Sequence, residues 1–523
     1  MLKFDHPLGI WQTFSEDWRF LLGILLAGTV TFFAISLAWQ VNFGVDTRSY
    51  LAHYFDLNST AMQLRTYLVS DIIGLVSELP YKIFYSVVIL CYLLAILWVY
   101  YVARLFGIIA ARVVTILLLL HFDLTILFHF FASDNLYALA MVLWTALLVR
   151  LHRTTIIPAF VLLGIATFGL VLIRPPGAIF ILMAAFPVVM FGFSRLNIRN
   201  AIIFVVTFVT CYAAYSYNNY RNYGNFHIVS NSQEFIPGLH VFKNGFFRPE
   251  NGPNSKELFR LVQEELINRP MYQQQNMDVD QFFINGGFRR WTDLLFVDRV
   301  LSPGIISRAS YEAIGHNPVA YATSIAKKTY SLISRPFKLA LPKPKEPAAA
   351  SQSKSNLNLK KAKKEFIPYS STPEGAKLIA EFHGKNVANI RDDQAERDVK
   401  IMAEIENRLN VFSSAPGNYH AAYFTVTTLS TIMPPQTFFL IITLFSLPLF
   451  RRPEMRLLWM MLVPAMIAIT VSAMIRDDWT RYRLPFDFIF MLIGTVGLMG
   501  NKTVCGWFSL DKGHEIGDDN LTE

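Results

Sequence analysis

Apolar residues in this chain come in long runs that are separated by short polar or charged connections. A helix that crosses a bilayer needs about 20 predominantly apolar residues, and the runs approach that length. The pattern therefore predicts an all-α, polytopic membrane protein with about ten spanning helices. The predicted spans are roughly 20–41, 83–104, 108–121, 135–150, 156–173, 177–193, 200–217, 434–450, 457–474 and 484–500.

Two longer segments interrupt the apolar runs and divide the chain into three parts. The segment 42–82 mixes polar and apolar residues and predicts one or two amphipathic helices at the membrane surface. The segment 218–433 is long enough for a small α or α+β domain. It contains a basic, low-complexity tract at 343–364, which predicts a mobile stretch. The expected parts are a transmembrane module (1–217), this domain, and C-terminal spans with a tail (434–523).

Charge placement predicts the orientation. Only 16% of the residues are charged, against about 25% in soluble domains. With the N-terminus in the cytoplasm, the basic short connections fall on that side, and the connection 122–134 on the opposite side holds no Lys or Arg. We expect an inner-membrane protein with both termini cytoplasmic and both long segments periplasmic. The residues that set this orientation are Lys3, Arg19, Arg104, Arg150, Arg153, Arg195, Arg199, Arg451, Arg452, Arg456, Lys502 and Lys512.

The net charge of +9 comes mostly from one tract of the chain. The tract 343–364 alone holds seven Lys and one Glu, and so supplies +6 of that surplus. Such a tract suits anionic lipid headgroups or an acidic glycan, and nucleic acid is not expected as a partner. Of the three cysteines, two lie inside apolar runs, so no disulfide framework is predicted. The sequence shows no internal repeat, no Gly-rich phosphate loop and no metal-ligand spacing of Cys and His.

Polar residues gather near the predicted outer ends of the spans. A packed bundle would bring several of them to one surface, as carboxylates and guanidiniums beside a cleft that lipids can reach. Each also has a plain structural interpretation. Asp46 and Asp134 could cap helices, Arg174 could reach to headgroups, and Arg481 and Arg483 could pair with neighbouring acids. The candidate residues are Asp46, Arg48, Lys82, Asp123, Asp134, Arg174, Arg481, Tyr482 and Arg483.

One chemistry uses such a set of residues. Transfer of a sugar from a lipid phosphate needs a carboxylate to accept the proton of the acceptor hydroxyl. It also needs cations to stabilise the departing phosphate, and Arg is suited to this by its fixed charge and forked donors. Because phosphate leaves readily, no second acid has to protonate it. One acid and two or three basic residues are therefore enough, and the candidate residues include both kinds.

The motifs together resemble the GT-C superfamily of integral-membrane glycosyltransferases. The likeness is to the bacterial branch with protein O-mannosyltransferase-like, aminoarabinose-transferase-like and RgtA-like enzymes, and it covers roughly 20–217 and 475–500. The order of the motifs carries it more than any single motif. They are VDTRSYL, ELPYKIF, RLFGIIAARVVTILLLLHFDLTILFHFFASDNLYALA, LIRPPGAIF and TRYRLPFDFIFMLI.

The resemblance implies an inverting transfer from a polyprenyl-phosphate donor on the non-cytoplasmic face. By it, Asp46 matches the catalytic acid of the first loop and would act as general base, and the other candidates would bind substrate. Asp134 matches the acid that opens the fourth span. Arg174 and Arg481 match basic positions near the donor phosphate. Many relatives carry two consecutive acids in the first loop, whereas here Thr47 follows Asp46. No cofactor is assigned; a divalent metal is left open but disfavoured, because such ions usually take more than one carboxylate.

Other classes of protein stay open at this point. An O-antigen ligase or polymerase would carry its essential residues in the large loop, for example Arg289, Arg290 and Arg299. A transporter or flippase usually shows repeated halves and polar groups at the membrane midplane, neither of which the pattern contains. A non-catalytic scaffold is a further alternative. The sugar and the acceptor, whether lipid, envelope polysaccharide or protein, are not specified by the sequence.

Overall fold

The computed structural model describes much of the chain, including every element discussed below. These residues are 10–37, 40–44, 46–55, 66–151, 154, 156–223, 226–229, 232–268, 270–273, 277–285, 294, 297–334, 403–405, 409, 428, 436–451, 453–475 and 480–500. The described part is 86% helical. The predicted mobile tract 343–364 lies outside it.

The first part of the chain is a series of helices joined by short connections. They are α1 (Ile10–Glu16), α2 (Trp18–Ser36), α3 (Thr47–Tyr54), α4 (Tyr67–Ser77), α5 (Tyr81–Arg104), α6 (Ile108–Leu119), α7 (Phe122–His129), α8 (Ser133–Leu151), α9 (Ile157–Ile173), α10 (Phe186–Phe191) and α11 (Arg195–Tyr223). A 3₁₀ helix, Pro175–Ala185, runs directly into α10.

The remaining described α-helices belong to the large segment and to the C-terminal part. They are α12 (Ser232–Lys243), α13 (Pro253–Leu261), α14 (Pro270–Gln273), α15 (Val279–Asn285), α16 (Ile305–His316), α17 (Pro318–Ser334), α18 (Gln436–Thr443), α19 (Pro453–Ile475) and α20 (Asp487–Gly500). Two short 3₁₀ turns, Thr480–Tyr482 and Leu484–Phe486, lead into α20.

Five helices of the described part are long and apolar enough to cross a membrane, as expected of a membrane protein: the spans lie in α2, α5, α8, α11 and α19. The pair α6 and α7, bent by 58°, would be a sixth. This confirms the helical class of fold and is consistent with the predicted membrane protein. The other four predicted spans are apolar helices of 10–17 residues, so the total of ten stays a prediction. They are Ile157–Ile173, Pro175–Phe191, Gln436–Leu449 and Leu484–Met499.

Large apolar side chains line the outward faces of α2 and α11. On α2, Leu26 and Val30 are 60% and 67% exposed, one helical turn apart. Ile202 and Val206 repeat this spacing on α11, at 55% and 56%. A stripe of exposed apolar residues at helical spacing is unfavourable in water, but it matches the acyl chains of a bilayer.

Two ends of the bundle can be distinguished by contacts between helix termini. We call the end where α2 stops and α5 starts the upper end, because Ser36 Oγ lies 2.8 Å from the Tyr85 hydroxyl there. At the opposite, lower end, Asp17 accepts hydrogen bonds from Arg112 Nε at 3.0 Å and from the Tyr100 hydroxyl at 2.8 Å. Arg112 holds the pKa of the Asp17 carboxyl below its usual range, because it stabilises the charged form.

The segment 122–134 differs from its predicted form as an outer connection. Residues 122–129 form the helix α7, in which Asp123 and His129 are buried. A two-residue strand follows, β2 (Phe130–Phe131), and pairs in parallel with β1 (Asn42–Phe43). This pair ties the start of the first long segment to the end of α7. The sequence did not reveal it, because two-residue strands carry no periodic pattern.

The predicted span 177–193 is also irregular. Arg174 has an extended backbone, with φ −148° and ψ 126°, because the residue before a proline disfavours the helical region. The chain then forms eleven residues of 3₁₀ helix before α10 begins. Gly177 packs so tightly that an added Cβ would lie 2.7 Å from the backbone carbon of Leu170. Only a residue without a side chain fits there.

The described residues between 232 and 334 form a helical unit at the upper end, which we call the upper region. Its core includes Leu258, Ile306 and Tyr321, and Met474 of α19 packs against it. Glu312 on α16 accepts hydrogen bonds from the Asn254 and Ser255 backbone N–H groups at 3.0 and 2.7 Å. It thereby satisfies N–H groups at the start of α13 that have no partner within their own helix.

The last helix of the upper region, α17, is shared between two cores. Tyr321, near its start, is buried with the residues of the upper region. Leu332 and Ile333, near its end, are buried with the residues of the membrane bundle. Its two ends therefore belong to different packing units.

Candidate functional site

Four charged side chains from distant parts of the sequence meet at the upper end of the bundle. We call Asp46, Asp134, Arg174 and Arg481 the charged cluster. Asp46 directly precedes α3, and Asp134 lies in the first turn of α8. Arg174 directly follows α9, and Arg481 lies in the 3₁₀ turn Thr480–Tyr482. All four were predicted as site residues, and the structure brings them together.

The four side chains form a continuous chain of ion pairs. Arg481 Nη2 lies 2.9 Å from Asp46 Oδ2, and Arg481 Nη1 lies 3.2 Å from Asp134 Oδ2. The other oxygen of Asp134 accepts a hydrogen bond from Arg174 Nη1. Asp134 therefore bridges two guanidiniums, and Arg481 bridges two carboxylates. The two positive and two negative charges of the cluster balance.

Burial differs among the members of the charged cluster. The side chain of Asp134 is 4% exposed and that of Arg481 is 11% exposed, whereas that of Asp46 is 19% exposed. Burial by itself would lower the pKa of the Arg481 guanidinium. The negative charges of Asp134 and Asp46 outweigh this effect, so that the pKa is raised above its ordinary value. Asp46 is thus the carboxylate that a ligand entering from outside meets most easily.

Two tyrosine rings flank the arginines. The guanidinium carbon of Arg174 lies 4.5 Å from the ring centroid of Tyr482, and that of Arg481 lies 5.2 Å from the same centroid. Arg174 also lies 6.0 Å from the ring of Tyr137. Guanidiniums near aromatic faces are stabilised by the ring quadrupole. Tyr482 was predicted at this site. Tyr137 was not, although it follows Asp134 by three residues and so shares its helix face.

The backbone around Asp46 directs its side chain toward the cluster. The Gly44 N–H donates to the Phe131 carbonyl at 2.9 Å, and the Thr47 N–H donates to the Gly44 carbonyl at 3.0 Å. A Cβ on Gly44 would lie 2.7 Å from that of Ala132, so the two segments touch at this point. Asp46 makes no side-chain capping bond to α3, and its carboxylate pairs with Arg481 instead.

The start of α8 has a cap that leaves Asp134 available. The side-chain oxygen of Asn135 accepts hydrogen bonds from the N–H groups of Ala132 and Leu136, both at 2.9 Å. The carboxylate of Asp134 turns to the arginines. Both carboxylate oxygens of Asp134 thus pair with arginines, and the bonds found at this turn go to Asn135.

The other candidates lie elsewhere or are not fully described. Lys82 is exposed in the first turn of α5. Asp123 is 5% exposed in the first turn of α7. Arg48 lies in α3, but its side chain is not described. Asp477 and Asp478 lie outside the described residues. The same holds for Arg289 and Arg290, which the ligase alternative names.

Arg483 does not join the charged cluster, although it lies two residues from Arg481. Its side chain is 2% exposed and its Nε lies 3.0 Å from Asp487 Oδ1. His121 Nε2 donates to Asp487 Oδ2 at 2.8 Å. The expectation that Arg483 lines a cleft is thus not met in this structure. Neither Asp487 nor His121 was predicted, although the i, i+4 spacing of Arg483 and Asp487 is a usable signal for a helical ion pair.

No metal centre is assigned to the site. Among the residues that the structure describes, no group of three or more His, Cys, Asp or Glu side chains is placed to hold a metal ion. The two carboxylates of the charged cluster are each paired with arginine.

Comparison of the chain with protein-family models, with curated proteins and with solved structures found no match.

Proposed function

We propose that this protein is an inverting, GT-C-type membrane glycosyltransferase. It moves one sugar from a polyprenyl-phosphate donor to a hydroxyl group of a lipid, an envelope polysaccharide or a protein. The observation that carries the proposal is the charged cluster at one end of an apolar bundle. In it the partly exposed carboxylate of Asp46 pairs with Arg481, which is joined to Arg174 through the buried Asp134. Lipid phosphate and sugar hydroxyl are the reactants that such a set can serve together.

The proposed reaction is a single displacement at the anomeric carbon. The acceptor oxygen forms a bond to that carbon while the bond to the phosphate oxygen breaks, which inverts the configuration. The hydroxyl proton passes to the Asp46 carboxylate, which acts as general base. The electron pair of the broken bond stays on the polyprenyl phosphate, whose added negative charge is stabilised by Arg174 and Arg481.

The ion pair between Arg481 and Asp46 sets a condition on this mechanism. A carboxylate beside a guanidinium is a weaker base, because the cation stabilises its charged form. A donor phosphate that draws Arg481 toward itself would leave Asp46 more basic. Donor binding and activation of the base are thus coupled through one side chain.

The membrane topology is part of the same proposal. We propose that the four shorter apolar helices also cross the membrane, so that the spans number ten. Helix α9 has 17 residues, about 26 Å at 1.5 Å per residue, which approaches the thickness of the hydrocarbon layer. With both termini in the cytoplasm of a bacterium, the upper end faces the periplasm. Nucleotide sugars are cytoplasmic, so a transferase working there would use a lipid-borne donor.

Orientation can be tested by labelling. In a background without the native cysteines, Asn254→Cys should react with a membrane-impermeant maleimide in intact spheroplasts. Arg195→Cys, at the start of α11 and therefore at the lower end, should react only after permeabilisation. The reverse pattern would refute a periplasmic upper end.

The activity can be tested with the purified full chain in nanodiscs. A panel of synthetic polyprenyl-phosphate hexoses and pentoses is mixed with an envelope extract, and release of polyprenyl phosphate is followed by mass spectrometry. Asp71→Asn is the matched control for Asp46→Asn, because Asp71 is an exposed acid in the same segment. We expect release from one or more donors by the wild type and the control, and its loss in Asp46→Asn.

Other outcomes would favour the alternatives. An Asp46→Asn variant with wild-type activity, together with loss of activity in Arg289→Gln or Arg290→Gln, would favour a ligase or polymerase. Sealed vesicles that move a labelled lipid-linked sugar without forming a glycosidic bond would favour a transporter.

A further inference from the structure

The two arginines before α20 have different environments although they are two residues apart. Arg481 takes part in the charged cluster, whereas Arg483 is 2% exposed. Two residues of chain span about 7 Å at most, so a shift of one side chain is passed to the other with little slack. Whatever holds Arg483 therefore helps to hold Arg481.

Arg483 is anchored to the end of α17. Its Nη1 donates to the carbonyl oxygens of Leu332 and Ile333 at 3.0 and 3.2 Å. These are among the last carbonyls of the helix, which have no partner within it. A cation at this end is also favoured by the helix dipole. Arg483 thus closes the C-terminal end of α17 inside the bundle.

A buried acid holds the same guanidinium from the other side. Arg483 Nε lies 3.0 and 3.2 Å from the two oxygens of Asp487, whose side chain is 1% exposed. His121 in turn donates to Asp487 at 2.8 Å. Because a buried cation without a partner is very costly, this network fixes the position of Arg483 firmly.

We infer that Arg483 is a positioning residue through which the upper region controls the donor-phosphate site. Helix α17 is packed into the upper region at Tyr321 and into the bundle at Leu332 and Ile333. Arg483 joins that bundle end to the segment that carries Arg481. A movement of the upper region is therefore transmitted through α17 and Arg483 to the guanidinium that binds phosphate. The inference rests on the proposed function, because it takes polyprenyl phosphate as the ligand of Arg481.

The test measures binding of polyprenyl phosphate, without a sugar, to the full chain in nanodiscs. Arg483→Gln should raise the Kd about tenfold, since a misplaced binding group loses much of its effect. Arg481→Gln should raise it about 10- to 100-fold, because it removes a charged hydrogen-bond donor. Arg483→Lys keeps the charge but not the fork, and should fall between the wild type and Arg483→Gln.

A second measurement reports on α17 itself. Trypsin can cut after Lys327 or Lys328 only when the helix opens locally. Cleavage there should be faster in Arg483→Gln than in the wild type. Arg456→Gln is the matched control: Arg456 also donates to two carbonyls near a helix end, those of Val189 and Met190, but at the lower end. It should change neither the Kd nor this cleavage.

The results separate the inference from the proposed function. If Arg481→Gln weakens binding but Arg483→Gln and Arg483→Lys bind like the wild type, the inference is refuted and the donor site stands. If the wild type binds no polyprenyl phosphate, the proposed function fails, and this inference with it. If Arg483→Gln does not fold, Arg483→Lys carries the test: an unchanged Kd and unchanged cleavage in that variant refute the inference.

Discussion

Replacement of Asp46 and of Asp134 by asparagine should separate chemistry from stability, because the two carboxylates share Arg481 but differ in burial. The Asp46 side chain is 19% exposed, and without its charge Arg481 still pairs with Asp134 at 3.2 Å. We expect Asp46→Asn to lower the free energy of unfolding by about 1 kcal/mol or less. Loss of the general base should slow transfer about 10²- to 10⁴-fold.

The opposite balance is expected for Asp134. Its side chain is 4% exposed and it pairs with both Arg174 and Arg481. Asp134→Asn takes from Arg174 the carboxylate it pairs with and leaves Arg481 paired with Asp46 alone, which should cost about 3–5 kcal/mol of stability. Its thermal unfolding temperature should therefore fall well below that of Asp46→Asn.

The assay pairs thermal unfolding in detergent with release of polyprenyl phosphate from a saturating donor. For each variant, unfolding and activity are measured on the same preparation, so that lost activity can be corrected for lost folded protein. The proposed role of Asp46 as general base is refuted if Asp46→Asn keeps activity within tenfold of the wild type. The expected difference in stability is refuted if the two variants lose equal stability, since burial would then not decide the cost.

Three further predictions concern other parts of the molecule. Arg174→Ala should raise the donor KM about 10- to 100-fold with the acceptor KM unchanged, because it removes one cation from the phosphate site; initial rates at limiting donor check this. Burial raises the pKa of Glu312, but hydrogen bonds from the start of α13 outweigh burial and hold the pKa below its ordinary 4.5. The contribution of Glu312 to stability is therefore full above pH 4.5 and is lost as the pH falls below that value. Thermal unfolding of the wild type and Glu312→Gln should therefore differ at pH 7 and converge in acid. Gly177→Ala should destabilise the protein by about 1–3 kcal/mol, whereas Gly23→Ala, with no atom within 4 Å of the added Cβ, should not.

The hydrophobic pattern predicted much of the fold, because lipid selects long apolar helices strongly. The runs at 83–104 and 135–150 correspond to α5 and α8 within a few residues. The pattern missed α7, because this segment is short and has polar residues at both ends, and so resembles a connection between two spans. There, burial within the bundle and not sequence periodicity decides the structure, as the enclosed Asp123 and His129 illustrate.

The candidate site was predicted in part. Asp46, Asp134, Arg174 and Arg481 were chosen because they lie near span ends, and they do meet. The separation of Arg481 from Arg483 could not be predicted. Which of two neighbouring arginines faces the cluster depends on the 3₁₀ turns before α20 and on the carbonyls of α17, a contact between segments 150 residues apart.

Sharing of α17 between two cores limits how this protein can be divided or recombined. By its place between two sets of apolar helices, the upper region resembles an insertion that could be expressed alone or exchanged between related proteins. A cut before α17 would expose Tyr321, whereas a cut after it would expose Leu332 and Ile333 and would remove the acceptors of Arg483. A chimera that keeps a working site must therefore take α17, the turn with Arg481 and the start of α20 from one parent.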